Sequence, residues 1–457
     1  MHKQLLEIVI TQSSNHMKRK PAIIILFFLH IALYSTAQPR PLTLNEAIGL
    51  SLENNYDIQL SRNDSTLAAL NNTYAQYALF PRLNANGGLV FNNNNQKQEL
   101  ANGTKRGGNV RSNNLAASVN LDWTLFDGFR MFIARKRLNE LVALGTLQIK
   151  SQVITTVAEV MRTYYDIVRQ EQQLRAIEEQ MQLSEERLKI SQYKFDIGTG
   201  AKPDVLQAQI DLNGQRSAHL TQQATINKLK ELLNDLLAIP ITNEFVVADT
   251  SIDINTNLLL TEVQSGIDAT NPQLLLVKQN LILADLALQE RRAERFPTVE
   301  FNSAYNFSRT RNQSVVNEIT QPLLNQNKGL NYGFTATIPI FNGFTNKRLT
   351  RAAQLDIEYQ QLLYKRSLAG INTGISGSYR DYDLYKRTLI LEEENLKLVR
   401  ENLFIARERY RLGISTFLEM REAQQSLADA TTRLIQARYN TKIAEIEIMR
   451  LRGDLVK

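Results

Sequence analysis

The sequence of 457 residues contains no cysteine. That excludes disulfide staples, thiolate nucleophiles, iron–sulfur ligation and a lipid anchor on an N-terminal cysteine. Histidine is almost as scarce, since His2, His16 and His30 lie near the start and only His219 follows them. A His-rich zinc site or a Ser-His-Asp relay therefore lacks its parts. Glycine, at 20 residues, is too sparse for a collagen-like chain, and 43% hydrophobic against 22% charged residues excludes wholesale disorder. None of the ten prolines falls in 130–197 or 345–412, which leaves room for very long helices. The length suits two or three ordinary domains or one elongated one.

The first residues read as a processing signal. After Met17 come Lys18, Arg19 and Lys20, an apolar stretch from Ala22 to Leu33, and Ser35-Thr36-Ala37 before Gln38. This basic, apolar, small-residue order predicts a secretory signal peptide over 1–37, with translation starting at Met17 and cleavage after Ala37. A core of about twelve apolar residues is short for a membrane anchor. Cleavage lowers the net charge from +7 to +4. So mild a bias gives no argument for nucleic acid as a partner. Nothing after residue 37 reads as a hydrophobic spanning helix.

The chain also repeats itself at a period near 215. Asn55 matches Asn271, and Phe80-Pro81 matches Phe296-Pro297, at an offset of 216. At 215, Phe126-Asp127-Gly128-Phe129 matches Phe341-Asn342-Gly343-Phe344, and Phe195-Asp196-Ile197-Gly198 matches Tyr410-Arg411-Leu412-Gly413. Hydrophobic phase repeats too. Met181, Ser184, Leu188, Ser191 and Phe195 step by three and four, as do Leu396, Val399, Leu403, Ala406 and Tyr410, which is the seam of a coiled coil. The spacing predicts helices over 130–197 and 345–412, each roughly 100 Å long. Return arms are expected over 204–237 and 417–451. Gly370, Gly374 and Gly377 mark an expected bend in the second helix.

Four segments have a period of two. In 114–125, Leu115, Val119, Leu121, Trp123 and Leu125 alternate with Asn114, Ser118, Asn120 and Asp122. Residues 299–308 and 331–340 alternate in the same way, and 84–91 more weakly. A soluble sandwich would alternate as well. Three features favour outer-membrane strands: lengths of about ten residues, end aromatics (Trp123, Phe126, Phe129, Phe341, Phe344), and Asn-, Gln- and Gly-rich stretches over 92–113 and 309–330 read as loops. Four strands cannot close a barrel, so two or more chains must share one.

A strand pair, long helix, glycine turn and return helix, all duplicated, resemble the TolC-like outer membrane efflux protein family. The stretch from Phe195 through Gly198, Thr199, Gly200 and Pro203 to Gln209 is similar to that family's helix-hairpin signature, and the stretch from Tyr410 to Glu419 more loosely so. The resemblance covers 38–457. It implies a mainly α fold with a membrane β-barrel part, in which a homotrimer closes a twelve-stranded barrel continued by a periplasmic α-helical tunnel. It also implies a passive exit duct in the outer membrane for efflux or type I secretion. The partners are then outer membrane lipid, a periplasmic adaptor (membrane fusion) protein and an inner-membrane pump such as an RND or ABC transporter.

The chain then divides into a leader over 1–37, a first repeat over 38–237, a connecting equatorial segment over 238–262 and a second repeat over 263–457. The hairpin tips, Gly198, Thr199 and Gly200 with Gly413, Ile414 and Ser415, are the expected adaptor contacts. Where the family's known members carry a gating aspartate before the second turn, this chain has Phe404. Glu401, Arg407 and Glu408 are the replacement candidates, each also readable as a surface charge.

Other motifs carry less. Gly198-Thr199-Gly200-Ala201-Lys202 lacks the Gly-Lys of a phosphate loop and follows a helix instead of a strand. Asp127-Gly128 and Asn342-Gly343 read as strand-to-helix bends. Glu392, Glu393 and Glu394 read as a solvated face, and His219 as a packing residue. No cofactor or metal is expected. A non-transport coiled-coil scaffold of the envelope is the main alternative; a periplasmic enzyme would need a convergent carboxylate pair that the sequence does not display.

Overall fold

The computed structural model describes residues 40–313 and 322–456; the expected leader and the Met17 start lie outside them. A short strand β1 (Arg40–Leu42) leads into α1 (Leu44–Asn54). Thr43 caps α1: its hydroxyl accepts from the Glu46 amide at 3.2 Å, and the Glu46 carboxylate accepts from the Thr43 amide at 3.1 Å. Next come α2 (Tyr56–Ala75), β2 (Arg82–Glu99), β3 (Lys105–Phe126), α3 (Arg130–Asp196) and α4 (Lys202–Leu236). A connecting stretch contributes β4 (Phe245–Val247), α5 (Leu260–Gln264) and α6 (Ile267–Thr270). The second half supplies α7 (Pro272–Ala293), β5 (Thr298–Asn312), β6 (Leu324–Thr337), α8 (Thr345–Arg411) and α9 (Phe417–Arg452).

Both halves are built alike because the same residues solve the same local problems. Asn55 donates to the Leu236 carbonyl at 2.9 Å and accepts from the Ile58 amide; Asn271 donates to the Leu451 carbonyl at 2.6 Å and accepts from the Leu274 amide. Each asparagine thus caps one helix and ties it to the end of a return arm. Phe129 and Phe344, the residues before α3 and α8, both have positive φ, 67° and 59°. Each follows a glycine that is also left-handed, so two consecutive residues redirect strand into helix. The Asp127 carboxylate accepts from the Met131 amide at 3.1 Å and supplies a cap at the first of these bends.

The four long strands form one antiparallel sheet in the order β2-β3-β5-β6, so the halves meet between β3 and β5. Register places Leu89 opposite Leu115, Val119 opposite Tyr305, Trp123 opposite Phe301 and Phe301 opposite Phe334. These share one face, while Asn84, Asn120, Asn302, Asn306 and Thr335 share the other. The strands are longer than their apolar alternation suggests. Much of 92–113, expected as loop, belongs to β2 and β3, because strands pair through backbone groups that asparagine and glutamine supply as well as apolar residues do. Likewise β5 runs to Asn312 and β6 starts at Leu324. At its other end β6 stops at Thr337, so Ile338 and Ile340, expected in the strand, lie beyond it and are exposed.

The α3 and α8 helices have 67 residues each. At 1.5 Å per residue each is about 100 Å long. Helical pairing in α8 is unbroken through Gly370, Gly374 and Gly377, where a bend was expected, and Ile371 and Ile375 are buried there. By length and composition α3 is apolar enough to cross a membrane, contrary to the sequence reading. Its length far exceeds a bilayer span, and its buried face packs against other helices of the bundle.

Midway along the bundle, Tyr164, Ile167, Val168, Leu233, Phe245 and Val247 form the main core. Here β1 and β4 pair in parallel, and the connecting stretch is tied on by helix side chains. The Tyr164 hydroxyl lies 3.1 Å from the Leu42 carbonyl and 2.9 Å from Asp249, while Tyr382 donates to the Asn255 carbonyl. Burial first, with the Asp249 carboxylate adding to it, pushes the Tyr164 phenol far up; burial pushes Tyr165 up to about 12. Both stay protonated donors at any physiological pH.

Candidate docking and gating site at the hairpin tips

The turns that reverse α3 into α4 and α8 into α9 have one conformation. Gly198 and Gly413 sit at φ +79° and +78°. In the first turn the Thr199 amide donates to the Lys194 carbonyl at 2.9 Å; in the second the Ile414 amide donates to the Arg409 carbonyl at 2.9 Å. This is the glycine-terminated close of a helix, which satisfies carbonyls the helix itself leaves open. Gly200 is needed for a different reason: a Cβ there would come within 2.9 Å of the Lys194 Cβ. Ser415 stands at the matching place in the second turn, its hydroxyl oxygen buried with no hydrogen-bond partner among the described residues.

The structure brings the two tips together. Ser191 and Tyr410 hydroxyls are 3.0 Å apart, and Lys194 Nζ lies over the Tyr410 ring at 3.8 Å while donating to its carbonyl. Burial lowers the Lys194 pKa against the nearby Asp204 charge, and burial raises that of Tyr410. Between the tips is a cleft of about 950 Å³ lined by Tyr193, Ile197, Gly200, Leu412, Gly413 and Leu418 among others. Ile197, Leu412, Ile414 and Leu418 are exposed. Thr199, Gly200, Gly413 and Ser415 line this cleft.

The second seam is as expected, with Leu396, Val399, Leu403, Ala406 and Tyr410 in one cluster. Of the first seam, Ser184 and Ser191 are buried as expected, Met181 and Leu188 are half-buried, and Phe195 is exposed at the end. Leu183 and Ile190 join the second seam's cluster. Buried between the two serines is Arg187, 2% exposed. It donates to Asp211 at 2.6 Å and stacks over Phe417 at 5.1 Å. Arg421 donates to the same carboxylate at 3.0 and 3.3 Å, so Asp211 joins both hairpins. Burial lowers the Arg187 pKa, with the Asp211 charge opposing. Sequence reading missed this cluster, although a cation at a seam position, between Ser184 and Ser191, was its signal.

Of the gate candidates, Arg407 and Glu408 meet at 3.9 Å, and Arg407 reaches Glu186 of the other hairpin at 3.6 Å. Glu408 is also held by Arg411 at 2.8 Å. Glu401 is exposed and forms no ion pair among the described residues. Glu392 and Glu393 instead bind Arg433 and Arg438 across the α8–α9 hairpin, at 2.9 and 2.8 Å. His219 is half-buried, and its Nε2 also lies 3.2 Å from the Glu178 carboxylate, joining α3 and α4 through a polar contact.

At the opposite end, the expected interface aromatics gather where strands become helices. Phe126 and Phe129 meet edge-on with centroids 5.2 Å apart, and Phe341 and Phe344 at 5.6 Å. Trp123 donates its indole N–H to the Leu79 carbonyl at 2.9 Å.

A two-faced antiparallel sheet standing on duplicated hairpins about 100 Å long defines an envelope channel subunit. The sequence model of the outer membrane efflux protein family matches residues 47–237 and 265–454, and the chain belongs to that family. It is an outer-membrane protein with a periplasmic helical part. Among solved structures, the outer-membrane channel OprN superposes with a TM-score of 0.74 at 17% identity, covering 90% of each chain. The CmeC outer membrane channel of Campylobacter jejuni gives 0.74 at 17%, covering 91% of this chain and 86% of its own. The outer membrane protein VceC of Vibrio cholerae gives 0.71 at 14%, covering 90% and 96%. Among curated protein sequences, none matches the chain significantly.

Proposed function

We propose that three copies of this chain form a passive exit duct that docks, through its hairpin tips, onto a periplasmic adaptor and an energised inner-membrane pump. The observation that carries the reading is the sheet: one face is apolar, and the outer edges of β2 and β6 have no partner strand among the described residues. In lipid an open edge leaves backbone groups unsatisfied, so β6 of one copy must pair with β2 of the next until the ring closes. Three copies give a twelve-stranded barrel with leucine, valine and aromatic residues facing lipid and asparagine-rich positions facing water. Trp123, Phe126, Phe129, Phe341 and Phe344 then mark the periplasmic membrane interface.

At the other end, the cleft between Gly198 and Gly413 suits a docking surface, with exposed aliphatic side chains around backbone that carries no side chain at the two glycines. Arg407 with Glu186, and Glu408 with Arg411, supply the polar links that narrow the tip, with Glu401 lining it. Nothing in the reading assigns this chain a reaction of its own; pump and adaptor supply energy and select cargo. Replacing Gly198 and Gly413 by arginine is expected to leave a folded oligomer while abolishing crosslinking to the adaptor. Unchanged crosslinking would remove the docking assignment.

A further inference from the structure

At the end of the sheet away from the helices, the apolar face gives way to cations set among asparagine and glutamine residues such as Asn93, Asn113 and Gln326. Arg309 lies opposite Leu115 and Arg311 opposite Asn113. Lys328 lies opposite Phe307, and Arg111 opposite Asn93. Alternation puts all four on the face shared by Leu115, Val119, Phe301 and Phe334, one or two pair steps from one another. All four are exposed.

On the opposite face at the same level stand Ser112, Asn114, Thr310, Asn325 and Asn327, none of them charged. A role in steering cargo would put the cations there. Arg309, Arg311 and Lys328 have no carboxylate within ion-pair distance among the described residues. Below them the apolar alternation of β3 runs from Leu115 to Leu125, about ten residues. At the usual tilt that span is roughly 25 Å high, the thickness of an outer-membrane apolar band. Arg111 and Arg311 therefore stand beyond the band, at the headgroup level of the outer leaflet on the side that faces lipid, and Arg309 and Lys328, level with Leu115 and Phe307 at its edge, reach that level along their long side chains.

We infer that Arg111, Arg309, Arg311 and Lys328 form a binding site for the phosphate groups of an anionic glycolipid of the outer leaflet. Guanidinium groups bind phosphate oxygens in pairs, and the apolar residues directly below receive acyl chains. The inference rests on the outer-membrane placement of the sheet.

The test uses the full signal-free chain, purified as its oligomer in maltoside detergent, with bisphosphorylated lipid A, its dephosphorylated form, phosphatidylcholine and inorganic phosphate as probes. Binding is read by native mass spectrometry and titration. Wild type is expected to prefer bisphosphorylated lipid A. The triple substitution Arg309→Ser, Arg311→Ser, Lys328→Ser is expected to weaken that binding about a hundredfold, roughly fivefold for each cation removed. Arg309→Lys with Arg311→Lys, which keeps the charge but loses the paired geometry, is expected to weaken it less than the triple substitution does, and salt to weaken it. Equal affinity for the phosphorylated and dephosphorylated lipids, or inorganic phosphate binding as tightly as lipid A, overturns the site. If the triple variant does not assemble, the phosphorylated-to-dephosphorylated ratio of wild type and of the lysine variant gives the answer. A chain that stays soluble without detergent would instead overturn the membrane placement itself.

Discussion

Asp211 holds two arginines, and their unequal burial predicts unequal effects. Arg187 has almost no solvent contact, whereas about half of the Arg421 side chain is exposed. Asp211→Ala leaves the Arg187 charge buried and uncompensated, a loss of about 3–5 kcal/mol. Arg421→Ala removes an exposed partner and is expected to cost at most about 1 kcal/mol. Denaturant titration of both variants measures the difference; equal losses would mean that Arg187 is not the buried charge the structure shows. Glu447 supplies the pH dependence. Burial raises its pKa, but the hydrogen bond and charge of Arg450 and the charge of Arg162 outweigh burial and hold it below the ordinary 4.5. With the folded value depressed, its contribution to stability is present above 4.5 and is lost as pH falls through the lower folded value. Glu447→Gln is expected to flatten that part of the acid transition in a thermal-melting series. The Glu447 pairing was not legible in the sequence, and the Arg187 cluster left only one signal there, a cation within a 3–4 seam. A long polar side chain in a 3–4 register reads as surface, and only packing shows which arginine lost its water.

The two strand-to-helix bends match in conformation but not in surroundings. A Cβ on Gly128 would lie 2.4 Å from the Ala293 carbonyl oxygen and 2.8 Å from Phe296, whereas one on Gly343 would meet nothing within 4 Å. Both glycines have positive φ. Gly343→Ala is therefore expected to cost only the left-handed penalty, about 1–2 kcal/mol, and Gly128→Ala distinctly more. Thermal melting of the two variants checks this; a larger loss at Gly343 would contradict the geometry. Elements were the most legible level of the sequence. The 3–4 stepping of Leu396 to Tyr410 and the two-step alternation of 114–125 located helix and strand closely, since burial on one face leaves a periodic trace. Polar strand extensions such as Asn92 to Glu99 leave none, because both of their faces meet water. They read as loops for that reason.

The whole molecule is organised by one mismatch, a sheet with a single apolar face and, among the described residues, no partner strand at either outer edge, joined to long packed helices. Duplication was legible from Asn55 and Asn271, and from the two Phe-x-Gly-Phe bends. That β3 pairs with β5 across the repeats was not, since some 170 residues separate them and no local pattern records long-range register. In the proposed assembly, closing the ring sets the copy number and opening the tip sets the conductance. In planar bilayers, Glu401→Ala with Glu408→Ala is expected to raise single-channel conductance, and an unchanged trace would count against those gate residues. The most direct test of the account is the mass of the signal-free chain by light scattering, with and without detergent. Three copies in one micelle, and precipitation once detergent is withdrawn, is the predicted result. A single copy, monodisperse in plain buffer, would contradict it.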